Sequence, residues 1–154
     1  NVKITQLSHS KFRSIGDNKN TQGIIAVKSS FNYSGVEEII SGAEISEYPL
    51  IVLLDSIQDP HNLGAIIRTS ECSGVNGIIT TTRNSTAVTN TVEKTSAGAI
   101  SYMKISRVNN LIPVIETLKN NGYWIVGSKI GNSRIYSEIA FPRRVGERQS
   151  VNLL

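Results

Sequence analysis

The chain has one cysteine in 154 residues, Cys72. A single thiol excludes an intramolecular disulfide and any cysteine-based metal site, and Cys72 is expected to be a small packed residue. No His, Cys, Asp or Glu stand at metal-ligand spacing, so no metal is expected. No apolar stretch approaches the ~18 residues of a membrane span, so no membrane partner is expected. No G-x-G-x-x-G follows a strand, and Gly127 to Gly131 is a poor substitute. A dinucleotide-binding dehydrogenase is therefore a weak reading. Charge of one sign is also scarce. Lys plus Arg is 16 against 12 for Asp plus Glu, giving +4 and a pI near 9.3. That excess permits an RNA partner without demanding one. The chain begins Asn1-Val2-Lys3, with neither a methionine nor a signal peptide. The expectation is a sequence that starts inside a longer protein, with the cytoplasm as the default location.

What is present is organised around residues 50–79, LIVLLDSIQDPHNLGAIIRTSECSGVNGII. Leu50 to Leu54 is an apolar run, and Asp55 to Asn62 is polar. Leu63-Gly64-Ala65-Ile66-Ile67-Arg68 reads as a helix that Gly74 ends. Gly77 to Thr80 reads as the next strand. Strand, loop, crossover helix and strand make a parallel βαβ unit. Ligands of such sheets sit beyond the carboxyl ends of the strands, which is where Asp55 to Asn62 fall. Leu63, Ile66 and Ile67 form the apolar stripe. Arg68 lies beside it, sharing a face with Gly64 one turn before and Glu71 three residues after. Spacing alone leaves Arg68 either a solvated arginine paired with Glu71 or a group facing a ligand, with Gly64 leaving room for an approach.

Residues 1–20 are polar and basic, with Lys3, Lys11, Arg13 and Lys19, and sustain neither a helical nor a strand period. They read as a solvated arm or linker. Residues 21–27 read as a short strand. Ser34 and Glu37 fit a capping box at the start of a helix carrying Val36, Ile39 and Ile40. Thr80 to Ser85 is a polar loop on the same edge as Asp55 to Asn62. Residues 86–95 form a helical pattern that ends in the small residues of Thr95-Ser96-Ala97-Gly98-Ala99, with a strand over 102–105. Asn110 to Asn121 is a further helix with Pro113 in its first turn, followed by Gly122 and a strand over 123–127. Trp124 is expected in the core. The alternation predicts an α/β domain with a mainly parallel sheet and helices on both faces.

The run DPHNLGAIIRTSECSG resembles motif 1 of the SpoU family of RNA ribose 2′-O-methyltransferases, in the SPOUT superfamily, through Asp59, Pro60, Asn62, Gly64, Arg68, Glu71 and Gly74. The resemblance covers residues 20–139 well. It implies an S-adenosylmethionine-dependent enzyme acting on rRNA or tRNA, a homodimer, and a SPOUT-like fold with a C-terminal trefoil knot, incomplete in this sequence. It places the methyltransferase domain at 21–154 and makes 1–20 the tail of an N-terminal RNA-binding domain. Arg68 falls on the catalytic arginine of the family, to which a part in deprotonating the ribose hydroxyl is given. Asn62 and Glu71 join it as catalytic candidates, and Asn62, Gly64, Arg68 and Ser96 as RNA-binding ones. Histidine is not required at His61, which ranks below Arg68 as a base.

Two motifs near the end of the family pattern are imperfect here. Val145, Gly146 and Glu147 resemble motif 2, a strand closed by a glycine and a glutamate, but with one residue too few between the last two. Ser150 and Asn152 fit the Ser-x-Asn of motif 3, which leads into a helix, but only a few residues later. These five are the expected cofactor residues. Either both motifs survive in collapsed form, or SVNLL belongs to motif 2 and motif 3 is absent. The second case keeps open a non-catalytic RNA-binding relative that has lost the cofactor pocket.

Overall fold

The computed structural model describes residues 4–16, 23–26 and 30–128, and the backbone of 151–153. The chain divides into two compact units, Asn1–Phe31 and Asn32–Leu154. In the first, helix α1 spans His9–Gly16, and none of its residues is buried. The sequence shows no sustained period there because two turns leave room for only one apolar pair, Phe12 and Ile15. Residues 23–26 carry no strand. The rest of the strand expected over 21–27 lies outside the described residues.

The second unit runs α2 (Val36–Ala43), β1 (Ile51–Leu54), α3 (Pro60–Cys72), β2 (Gly77–Thr81), α4 (Asn90–Thr95), a 3-10 turn (Ala99–Ser101), β3 (Ile105–Val108), α5 (Leu111–Asn120), β4 (Trp124–Val126) and β5 (Val151–Leu153). Strands β1, β2 and β3 form a parallel sheet in that order. Ile51 pairs with Gly77, and Ile78 with Ile105. Strand β5 pairs in parallel with β4 and lies against β1. Every residue of β1 and β2 is buried. Side chains alternate across a strand, so both faces of this sheet are covered. Ile51, Leu53 and Ile79 pack in one cluster with Ile39, Ile40 and Ala43 of α2 and Leu111, Val114 and Leu118 of α5. Leu63 and Ile67 of α3 and Val92 of α4 are fully buried as well. The expected knot falls on residues outside those described. Among the described residues no helix is long and apolar enough to cross a membrane.

Both long helices end in the same way. Gly74 and Gly122 take left-handed backbone angles, φ +73 and φ +80. Gly74 N–H donates to the Glu71 carbonyl and Val75 N–H to that of Ser70. Gly122 and Tyr123 repeat the pattern on Lys119 and Leu118. These are Schellman caps, which need a residue free of a Cβ clash at the turn. The second cap also buries Tyr123 on Leu118. That puts Tyr123 in the core place expected for its neighbour, and Trp124 is 52% exposed. The register of β4 is one residue off the expected one, which turns every side chain over.

The cap of α2 is also shifted by one. Gly35 is the N-cap, without a side-chain bond. Ser34 instead bonds to Glu38, the third helical residue, whose carboxylate pairs with Lys104 at 3.1 Å. The bond and charge of Lys104 hold the Glu38 carboxyl below its ordinary 4.5, with Ser34 and the Gly35 backbone adding to the shift. A lowered carboxylate stabilises the fold above its unfolded pKa, and that gain is lost as pH falls through the folded value. The pair is exposed and screened by salt. Glu38→Gln should therefore flatten a small stability gain above pH 4.5 and leave stability unchanged at lower pH. Urea titrations of both proteins at several pH values and at low salt would measure it.

Candidate active site

Three loops meet at the carboxyl edge of the sheet. The first leads from β1 into α3. Asp59 is the N-cap of α3, its carboxylate accepting the His61 N–H at 2.8 Å, and Pro60 takes the first helical position. Asp followed by Pro is a strong start signal. It begins the helix three residues before the apolar stripe does, so His61 and Asn62 stand in its first turn rather than in a loop. Both are exposed.

The buried residues of α3 are Leu63, Gly64, Ile67 and Ser70. Arg68 is exposed at the rim of that face, one turn after Gly64. It makes no hydrogen bond or ion pair among the described residues, and Glu71 does not pair with it. The Glu71 carboxylate receives the Cys72 thiol instead, at 3.9 Å. Cys72 is exposed, not packed, because the buried stripe of residues 63, 67 and 70 runs along the other side of the helix.

The second loop follows β2. Thr81, the last residue of the strand, is buried; its hydroxyl donates to the Arg83 carbonyl at 3.0 Å and is hydrogen-bonded to the Ser85 hydroxyl at 2.6 Å. The Thr86 N–H donates to the Ile57 carbonyl at 2.8 Å and so ties this loop to the one before α3. The third loop follows β3. Thr82 donates its hydroxyl to Asn109 at 2.8 Å and its N–H to Val108. Ser56 (φ 57) and Asn84 (φ 51) hold left-handed backbone in the first two loops. For residues with a Cβ that is a strained conformation, kept where surrounding bonds fix it.

At two of the expected RNA-contact residues, Gly64 and Ser96, the protein itself fills the surroundings. Gly64 leaves no room for an approach, because Thr95 of α4 fills that space. A Cβ on Gly64 would lie 2.8 Å from the Thr95 Cβ and 3.0 Å from the Val92 carbonyl oxygen. Ser96 is fully buried and its hydroxyl donates to the Glu93 carbonyl at 2.9 Å. The small residues here serve helix packing, and α4 is shorter than expected, starting at its N-cap Thr89. The strand expected over 102–105 begins only at Ile105, after the 3-10 turn.

Of the five cofactor candidates, Val145, Gly146, Glu147 and Ser150 lie outside the described residues. Asn152 is described by its backbone alone, opposite Ile125 in the β4–β5 pair. Val151–Leu153 is a strand. Among the described residues no cluster of three or more His, Cys, Asp or Glu could hold a metal.

Comparison with known proteins joins this geometry to a family. The model of the SpoU rRNA Methylase family matches residues 49–150. A Staphylococcus saprophyticus protein assigned to the TrmH family of tRNA/rRNA methyltransferases is 39% identical over 139 residues, 90% of this chain and 55% of its own length. A Synechocystis protein described as an uncharacterized tRNA/rRNA methyltransferase is 39% identical over 132 residues, 85% of this chain and 32% of its own. The chain thus spans about half the length, or less, of the curated relatives it matches. Among solved structures, an AdoMet-bound rRNA methyltransferase from Sinorhizobium meliloti shares the fold with a TM-score of 0.71 and 23% identity, over 95% of this chain and 52% of that one. The SpoU methyltransferase AviRb of Streptomyces viridochromogenes, solved with AdoMet, gives 0.61 and 19%, over 74% and 43%. By the family match over more than half of its length and the identity to its relatives, this chain belongs to the SpoU rRNA methylase family.

Proposed function

We propose that the protein transfers a methyl group from S-adenosylmethionine to the ribose 2′-hydroxyl of a nucleotide in rRNA or tRNA. The observation that carries this reading is Arg68. It is exposed on α3, about two turns from the ligand-side start of that helix and one turn past Gly64, without a partner among the described residues, in a chain of the SpoU family. A guanidinium left unpaired beside a ligand edge is available to an anionic group, and a phosphodiester is matched to its planar fork.

The cofactor needs apolar surface for its adenine and backbone groups for its polar ends. Strand β4 fits that need, with Ile125 and Val126 half-buried and Gly127 exposed at its carboxyl end. Asn152 lies opposite Ile125 on β5, and Val145, Gly146, Glu147 and Ser150 join it as cofactor residues on their likeness to the family motifs alone. When bound, S-adenosylmethionine supplies a methyl group made electrophilic by its sulfonium.

The residues of this chain then have three tasks. Arg68 grips the phosphate beside the target ribose and stabilises the oxyanion that develops at the 2′-oxygen. A guanidinium keeps its charge and is a poor base, so Arg68 holds charge rather than removing the proton. Asn62, exposed in the first turn of the same helix, positions the ribose. Glu71 is the carboxylate within reach of Arg68 along the helix and orients it once RNA is in place. His61, also exposed in the first turn, is the remaining group there able to take the proton that the 2′-hydroxyl loses as it accepts the methyl group. We place this work in the cytoplasm and in a homodimer; sedimentation that gives a monomer at every concentration would remove the dimer.

Incubation with methyl-labelled S-adenosylmethionine and total bacterial RNA, followed by nuclease digestion, tests the reading directly. The expected product is labelled 2′-O-methylnucleoside. Label on a base would change the acceptor, and RNA binding without any transfer would establish the non-catalytic alternative.

A further inference from the structure

Arg107 and Tyr33 take no part in the site so far, yet they bracket the loop after β2. Arg107 is half-buried in β3, paired in register with Thr80. Its Nη2 donates to the carbonyls of Thr82 and Ser85, each at 3.4 Å. Its guanidinium carbon stands 5.7 Å from the centre of the Tyr33 ring, within cation–π range. The Tyr33 hydroxyl accepts the Val88 N–H at 2.9 Å. Tyr33 is itself anchored, because the next residue, Ser34, donates its N–H to the Ile105 carbonyl of β3 at 2.8 Å. The loop is thus held at residues 82 and 85 by one side chain and at 88 by the other. Between them Thr86 bonds to Ile57, in the loop that leads to the Asp59 cap of α3.

The chemistry of the pair is specific. One planar cation stacks on a ring and donates from its edge at once, which an ammonium cannot do. The Nε of Arg107 is buried with no hydrogen-bond partner among the described residues. A buried donor left unpaired is costly and calls for an explanation. Placing the two carbonyls correctly accounts for it.

We propose that Arg107 and Tyr33 are positioning residues, which set residues 82–88 against the turn before α3 and thereby fix where RNA sits relative to Arg68. This rests on the methyltransferase reading, and neither residue is assigned a contact with substrate. Three variants test it: Arg107→Lys, Arg107→Gln and Tyr33→Phe. In both Arg107 variants kcat should fall about a hundredfold, the scale of a misplacement of ~1 Å, with KM for RNA unchanged. The lysine should be no better than the glutamine. Amide hydrogen exchange should accelerate about tenfold or more at Thr86 and Val88, as for local opening, while Ile78 and Ile79 of β2 keep their protection. Tyr33→Phe, which keeps the ring and removes the hydroxyl that accepts the Val88 N–H, should speed exchange at Val88 and leave the Arg107 bonds in place, so the clamp stays testable even if an Arg107 variant fails to fold. Unchanged exchange at Thr86 and Val88, full rescue of kcat by lysine, or faster exchange with normal kcat would each overturn the proposal. A wild-type protein inactive on every RNA would remove the methyltransferase reading instead, and the exchange data would still decide whether the pair holds the loop.

Discussion

Arg68→Ala should lower methyl transfer about a thousandfold, the usual scale for removing one charged grip on a transition state, while the fold stays intact. The stability half follows from position. Arg68 is exposed, contributes nothing to the buried face of Leu63, Gly64, Ile67 and Ser70, and has no partner among the described residues to leave behind. Surface changes of that kind alter stability by less than about 0.5 kcal/mol. The catalytic half follows from chemistry. A phosphate and a nascent alkoxide are both anions, and the bidentate fork holds them where a methyl group cannot. Arg68→Lys keeps the charge but loses the fork, so it should recover only a small part of the rate. Single-turnover transfer of labelled methyl to RNA by the three proteins, alongside their thermal unfolding, separates these effects. Near-normal transfer by Arg68→Ala would return Arg68 to the solvated surface residue that its spacing alone also allows.

The βαβ unit was legible because its signals are local and redundant. An all-apolar run that ends at Asp55, a helical stripe and a second apolar run can be arranged in few other ways, and β1, α3 and β2 form where those signals stand. The ends of elements were less legible. Asp59-Pro60 outweighs the apolar period at the start of α3, and Glu38 rather than Glu37 reaches back to Ser34, because cap choice depends on a contact with Lys104 far along the chain. Trp124 and Tyr123 exchange roles because a one-residue shift in a strand reverses its faces. Arg107 and Tyr33 were not legible at all. Each is an ordinary residue in sequence, and they meet only because β3 and the segment before α2 lie side by side. Gly64 stands out in the sequence as a glycine one turn before an arginine, but its neighbour is a helix that comes some thirty residues later.

That neighbour makes Gly64→Val the sharpest test of the packing. The Thr95 hydroxyl occupies the place where a Cβ at residue 64 would stand, and the Thr95 Cβ and Val92 carbonyl lie 2.8 and 3.0 Å from it. Thr95 cannot swing aside freely, because its hydroxyl donates to the Thr91 carbonyl at 2.9 Å and to that of Val92 at 3.3 Å, and its branched Cβ restricts rotation. Helices α3 and α4 must therefore move apart or bend. Forcing extra carbons into a packed interface costs typically 1–3 kcal/mol, and valine, with two methyls beyond the Cβ, should reach about 3 kcal/mol or more. Gly64→Ala should cost less, since alanine regains up to about 1 kcal/mol of helix propensity over glycine. Thr95→Gly in the same chain removes the worst contact, so the pair should show a coupling of about 1 kcal/mol or more in a double-mutant cycle read by urea unfolding. RNA binding gives the opposing outcome. If residue 64 must stay bare to admit RNA, Gly64→Ala raises KM for RNA and Thr95→Gly does not restore it. If residue 64 must stay bare to admit α4, KM measured well below the unfolding transition is unchanged, and Thr95→Gly recovers the lost stability.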